Sequence, residues 1–324
     1  MNRQAISASG PAAETFPGLP ADRVICVTID LDDLRFYRGI HALEPEEDLP
    51  AIFELAVPRF LGMCEKLGLK STLFSIAEDL RWPEAVSSLR SAAASGHEIA
   101  SHSSTHRYEL SRRSADFMKA ETAGSRHALE DATGSAVTGF RGPGYNLSDG
   151  LLAALKDAGY EYDSSVLASP AYWAARAAVI GWMRLTGRKS SSITGRGRDF
   201  CRGRLPFVWP ARLGGLREFP ITSGGLGWMP LIGTTLAAGG AMSRHIARCA
   251  NRLPFVNVEF HALDFMDIDI DRLDPRLRVE PALRIPLADR TSAFETALQS
   301  LADGRRPALL RDLSAINPLE PGFR

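Results

Sequence analysis

Cysteine is scarce. Four occur in 324 residues, Cys26, Cys64, Cys201 and Cys249, scattered and without a CxxC pair. That excludes a disulfide-scaffold fold, because a chain this long buries enough apolar surface to do without covalent staples. Net charge is lacking too. Lys+Arg total 38 and Asp+Glu 38, so no whole-surface electrostatic grip on nucleic acid is expected. No apolar run reaches the length of a membrane span. The first twenty residues, MNRQAISASGPAAETFPGLP, hold no continuous apolar core of the kind a secretory signal needs. They read as a polar tail ahead of a single domain over 21–324. With scattered thiols, this points to a cytoplasmic protein.

What is present alternates. VICVTIDL (24–31) is a short β-branched run, as in a buried strand. A helical pattern follows from about Pro50 to Leu67, closed by Gly68. Further strands are predicted at 71–76, 97–101, 137–140, 160–166, 217–221 and 255–260. Helices are predicted from Pro83 to near Gly96, over about 111–132, from Ser148 to Gly159, and over about 292–302. Strands alternating with helices argue for an α/β architecture with a parallel sheet. Seven strand segments with no clear linker between them fit a barrel better than two domains.

One stretch breaks the rhythm. Between Pro170 and Gly215 nine basic residues stand against one acid, Asp199, a local net of 9 − 1 = +8. Its first half has the pattern of an amphipathic helix containing Trp173 and Trp182. A second apolar segment covers 227–242. Both read as insertions on the barrel rim, about 170–215 and 225–250. The charge suits an anionic partner, a phosphate or an acidic lipid surface, and the tryptophans suit a lipid tail or an interfacial helix. A solvated arginine face, with the apolar segments packed on the barrel, is the alternative.

Four segments carry chemistry. TIDLDDL (28–34) places Asp30, Asp32 and Asp33 where a buried strand runs out, either as an Asp-rich turn or as a site. HEIASHSSTH (97–106) holds three of the seven histidines. His102 and His106, at i and i+4, present two imidazoles on one face of a single turn. With a carboxylate from elsewhere they could hold one tetrahedral zinc ion and leave a position for water. GFRGPGY (139–145) sets Arg141 at a strand end before a Gly-Pro-Gly turn. It is a plain loop or an oxyanion-facing backbone with a carboxylate-holding arginine. VEFHALDF (258–265) puts His261 just past a strand, as a structural residue or a general acid.

In this order the four segments resemble the motif pattern of the polysaccharide deacetylases, the NodB-homology or carbohydrate esterase family 4 group, in a divergent D-x-D form. The branch with that form includes deformylases of a polyprenyl-phosphate-linked aminosugar. The resemblance runs from about Val24 to Phe265. It implies an irregular (β/α)7 barrel and metal-dependent hydrolysis of a carbon–nitrogen amide bond, with an acylated aminosugar as substrate. Asp30 matches the general base. Asp32, His102 and His106 match the metal ligands, with Asp33 competing for the aspartate role. Arg141 matches the residue that positions the base, Tyr145 the donor of a backbone N–H to the oxyanion, and His261 the general acid. The family's aspartate near a tryptophan has no clean match; Asp163 and Glu218 are the two residues considered for it. Zinc is the default ion, and cobalt, nickel or iron also suit such a site. A cytoplasmic enzyme for a lipid-linked or phosphorylated aminosugar, peripheral to the inner membrane face, is the working expectation. An amidohydrolase of a small acylamine, ureide or cyclic imide, and a non-catalytic sugar-binding barrel, are the alternatives.

Overall fold

The computed structural model describes residues 22–45, 49–193 and 203–315. The expected tail at 1–20, and Arg196, Arg198, Asp199 and Arg202 of the basic stretch, lie outside them.

Eleven strands are described in chain order. They are β1 (Val24–Asp30), β2 (Thr72–Ser75), β3 (Glu98–Ser101), β4 (Gly139–Phe140), β5 (Tyr162–Asp163), β6 (Phe207–Val208), β7 (Arg217–Glu218), β8 (Ser223–Gly224), β9 (Met229–Pro230), β10 (Phe255–His261) and β11 (Arg306–Pro307). The principal sheet runs β10-β1-β2-β3-β4-β5-β7, all parallel, with β6 antiparallel on β7 and β11 beside β1. Those seven parallel strands are the seven read from sequence. The sheet curls back on itself, because beyond β7 the Thr222 N–H donates to the Asn257 carbonyl at 3.0 Å. This is the irregular (β/α)7 barrel.

The helices are α1 (Leu34–His41), α2 (Val57–Lys66), α3 (Pro83–Ala94), α4 (Ala115–Thr133), α5 (Asp149–Asp157), α6 (Pro170–Leu185), α7 (Gly233–Ala237), α8 (Gly240–Ala250), α9 (Leu287–Ala302) and α10 (Leu310–Ser314). Four begin where a side chain takes up an orphan N–H, α1, α4, α5 and α6. Ser148 caps α5 by accepting from Leu151, Ser169 caps α6 through Tyr172, and Asp33 caps α1 through Arg35. Helix α4 starts at Ala115, later than read from sequence, because Ser114 is its cap. Helix α9 starts at Leu287, five residues earlier than expected. Helix α1 was hidden by the Asp-rich reading of its cap.

Strand alternation sorts the core into two compartments. On β1, Ile25, Val27 and Ile29 face outward to the helices. Val24 and Cys26 face inward with Phe74, Tyr162, Phe219 and Phe255, and Leu310 and Leu313 of α10 complete that inner cluster. Toward the carboxyl ends of the strands the lumen turns polar. Thr28 Oγ1 lies 3.3 Å from Asn257 Oδ1, and Arg141 and Ser164 join them. Apolar filling below and polar groups above concentrate the chemistry at the carboxyl end, as in other parallel barrels.

The 227–242 segment is part of the wall rather than an excursion on the rim. Leu231 and Leu236 are fully buried, the Leu231 N–H donates to Thr222 O at 2.7 Å, and the Glu259 N–H donates to Leu231 O at 3.2 Å. Its apolar residues fill the gap between the β7 region and β10.

Candidate active site

Register brings the first acid, Asp30, to the last histidine. In the parallel pair β1/β10, Thr28 stands opposite Glu259 and Asp30 opposite His261. Alternation then aims Asp30, Glu259 and His261 into the same end of the barrel.

Asp32, His102 and His106 converge. Asp32 Oδ1 lies 3.3 Å from His102 Nε2 and 3.2 Å from His106 Nε2, and the two Nε2 atoms are 3.1 Å apart. The histidine pair does not form by a helical turn, as its spacing suggested. The segment after β3 is a loop, and Ser103 (φ 70°) and His106 (φ 51°) are left-handed. Such backbone in non-glycine residues costs about 1–3 kcal/mol each and persists where surrounding contacts enforce it. Here the His106 N–H donates to Ser103 Oγ at 3.0 Å, and Ser103 N to Ser101 Oγ at 3.2 Å.

The residues fit a divalent ion. His102 Nδ1 lies 2.7 Å from the Arg141 carbonyl, an acceptor, so Nδ1 carries the proton and Nε2 presents a lone pair. Asp32 Oδ1 is buried and, beside the two imidazoles, has no hydrogen-bond partner among the described residues, which is costly unless something positive meets it. Burial would raise the Asp32 carboxyl, but the His106 and His102 rings hold it well below its usual range. Asp33 is drawn away from this cluster as the α1 cap, accepting from Arg35 N at 2.9 Å.

Asp30 is gripped from the other side. Arg141 Nη1 lies 2.6 Å from its Oδ1, while Arg141 Nε and Nη2 donate to Ser164 O and Ser164 Oγ, each at 2.9 Å. Arg141 itself is fully buried. Burial alone would raise Asp30; Arg141, then His102 and His261, lower it.

The oxyanion role expected of the Tyr145 N–H is not available as read. That N–H donates to Gly142 O at 2.9 Å, closing the tight turn of the loop. The Tyr145 hydroxyl instead reaches His261 Nε2 at 3.2 Å. Gly144 lines the pocket. Its φ is 58°, and a Cβ there would press on Arg176 and Tyr108, so only glycine serves. Arg176 of α6 donates to the Gly144 carbonyl at 2.9 Å and steadies the turn.

Neither acid considered for the fourth motif reaches His261. Glu218 accepts from Trp209 Nε1 at 3.0 Å and from Val166 N at 2.9 Å, and Asp163 accepts from Ser165 Oγ at 2.6 Å. They form their own buried pair beneath the site. The acids acting on His261 are Glu259, then Asp32 and Asp30 from the β1 end, then Asp264, whose Oδ2 accepts from the His261 N–H at 2.8 Å. Glu259 was missed in the sequence. The available signal was alternation: in FVNVEFH it shares a strand face with His261 two residues on.

A pocket of about 410 Å³ joins these groups. Asp30, Asp32, His102, His261 and Gly144 lie along its polar side, and Ala175, Val179 and Ile180 of α6 along its apolar wall.

Comparison with known proteins follows the same line. The sequence profile of the polysaccharide deacetylase family matches residues 47–162. A polysaccharide deacetylase structure from Mycobacterium smegmatis, itself assigned by inference, superposes with a TM-score of 0.58 at 17% identity, covering 93% of this chain and 94% of that one. A family 4 carbohydrate esterase from Streptomyces lividans in complex with acetate gives 0.46 at 13% identity, covering 91% and 94%. A CE4-family pseudoenzyme from Bacillus anthracis gives 0.46 at 13%, covering 91% and 66%. No curated protein sequence matches the chain. The profile match and the shared barrel bear out the resemblance to the polysaccharide deacetylase superfamily.

Proposed function

We propose that this chain, built on the barrel of the polysaccharide deacetylases, hydrolyses the amide of an N-acylated aminosugar with a divalent ion held by Asp32, His102 and His106. The observation that carries the reading is that Asp32 and His102, with His106 against both, share one pocket with an arginine-held carboxylate and a histidine. When bound, a zinc-class ion supplies Lewis acidity to the acyl oxygen and to water. Asp30, ionised beside Arg141, accepts the proton of the attacking water. The Gly144 N–H faces charge developing on the acyl oxygen, in place of the Tyr145 N–H expected from sequence. His261, whose acid form is favoured by its neighbours, gives a proton to the leaving amine.

The pocket wall supports a finer reading, a substrate with an apolar or anionic appendage. Beyond Val179 the outer face of α6 stays apolar: Val179, Trp182 and Leu185 are 48%, 59% and 88% exposed. Exposed Arg184 and Lys189 lie beside them. Such a stripe suits a lipid-linked, phosphorylated aminosugar presented at an anionic membrane face. No helix among the described residues is long and apolar enough to cross a membrane.

The test is metal analysis of the purified protein, then a panel of N-acetyl and N-formyl aminosugars, free and lipid-linked, scored by acid release. One bound ion per chain and release that Asp30→Ala abolishes without loss of metal is the expected result. A metal-loaded protein inert on the whole panel refutes the assignment. Flotation with anionic vesicles checks the lipid reading; full activity on soluble sugar with no vesicle binding removes it.

A further inference from the structure

One buried acid at this site has no task in the mechanism above. Glu259 lies on β10 with no solvent exposure. Its Oε1 is 3.4 Å from Arg141 Nη1, and its Oε2 has no hydrogen-bond partner among the described residues. A carboxyl taken out of water with one oxygen unmatched costs stability, so an opposite charge close by is what would make it tolerable. Side-chain atoms of Asp30, Glu259 and His261 that could each hold an ion lie within 4.8 Å of one another. A second metal ion is a poor occupant for that trio. The Arg141 guanidinium already contacts both carboxyls, at 2.6 and 3.4 Å, and would repel it. The remaining cation is the imidazolium of His261, two residues along the same strand face.

We propose that Glu259 is the positioning residue for His261: its buried carboxylate is the counter-charge that keeps the imidazole protonated and ties it to the Asp30–Arg141 pair. This rests on the catalytic reading of His261 given above. The groups facing the pair are Asp30 and Asp32 from the β1 end, Arg141 from the loop after β4, the Tyr145 hydroxyl, and Asp264 from the turn after β10. Burial would lower His261, but Glu259 first, then Asp32 and Asp30, bring it to about 9. Burial and then Asp30 push Glu259 up to about 8, against Arg141 and His261, so its counter-charge acts on the alkaline side of neutrality, where His261 would otherwise lose its proton. One acid on the strand thus extends the pH range over which His261 carries the proton it must give away.

The experiment follows the His261 ring by ¹⁵N NMR in histidine-labelled, zinc-loaded full-length protein, assigned with His261→Gln. In Glu259→Gln the His261 midpoint falls by about one pH unit or more, as expected when an opposite charge within a few ångströms is lost, with zinc content unchanged. Glu259→Asp, which keeps the charge a methylene farther off, falls less. A midpoint that stays in place in Glu259→Gln overturns the proposal. If that variant does not fold, Glu259→Asp alone decides, a downward move supporting it and none overturning it. The alkaline limb of kcat/KM moves with the midpoint if His261 is the acid. A shifted midpoint with no turnover on any aminosugar leaves the pairing intact and refutes only the catalytic reading.

Discussion

Replacing Arg141 by methionine removes the positive centre of the site while roughly keeping side-chain length. The guanidinium makes a 2.6 Å ion pair with Asp30, a 3.4 Å approach to Glu259 and two 2.9 Å bonds to Ser164, all fully buried. Breaking a buried pair by taking away one partner costs about 3–5 kcal/mol, since the other charge stays desolvated. Against a total stability of about 5–15 kcal/mol this is a large share. For a 324-residue chain, at about 1.5 °C per kcal/mol, it lowers the melting temperature by roughly 4–8 °C. Urea unfolding of the metal-free protein at pH 7 measures it. The stricter assay is a cycle with Asp30→Asn. Once the carboxylate is neutral, losing the guanidinium should cost less, and the double variant should beat the sum of the singles by about 2 kcal/mol. Additivity within about 0.5 kcal/mol would show that Arg141 does not hold Asp30 in solution and would refute the geometry on which the base assignment depends.

The two neighbouring aspartates should separate cleanly. Asp32→Ala abolishes stoichiometric zinc binding in titration calorimetry. Asp33→Ala keeps it and loses about 1 kcal/mol of stability as the α1 cap is removed. Gly139→Ala tests the barrel wall. An added Cβ there falls within the Tyr162 ring, whose hydroxyl donates to buried Glu98 at 2.7 Å, so denaturant unfolding should show a loss of about 2–3 kcal/mol or more. An alanine variant as stable as the parent would mean that Tyr162 has room to move.

Much of the fold was legible because a parallel barrel writes itself locally. Short β-branched runs such as VICVTID, the cap at Ser148, and left-handed glycines at Gly68 and Gly134 are signals spanning a few residues. Segments that failed to read were those whose state is set by distant partners. Helix α1 hides behind an aspartate that looks like part of a site, and the 227–242 apolar run looks like an insertion until β10 supplies its hydrogen-bond partners.

For the site, the sequence alone determined which residue types stand at strand ends, because buried strands rarely tolerate acids and histidines without a reason. It could nominate Asp30, Asp32, His102, His106, Arg141 and His261. Only the tertiary structure decided that Asp32 rather than Asp33 meets the imidazoles, and that the Tyr145 N–H, expected at the oxyanion, is taken up by Gly142 O while the hydroxyl reaches His261. It also showed that Glu259, rather than Asp163 or Glu218, is the acid on the histidine's own strand face. The physical reason is that residue spacing sets which face a side chain occupies. Which charges come within a few ångströms depends on register between strands more than 200 residues apart, as between Asp30 and His261.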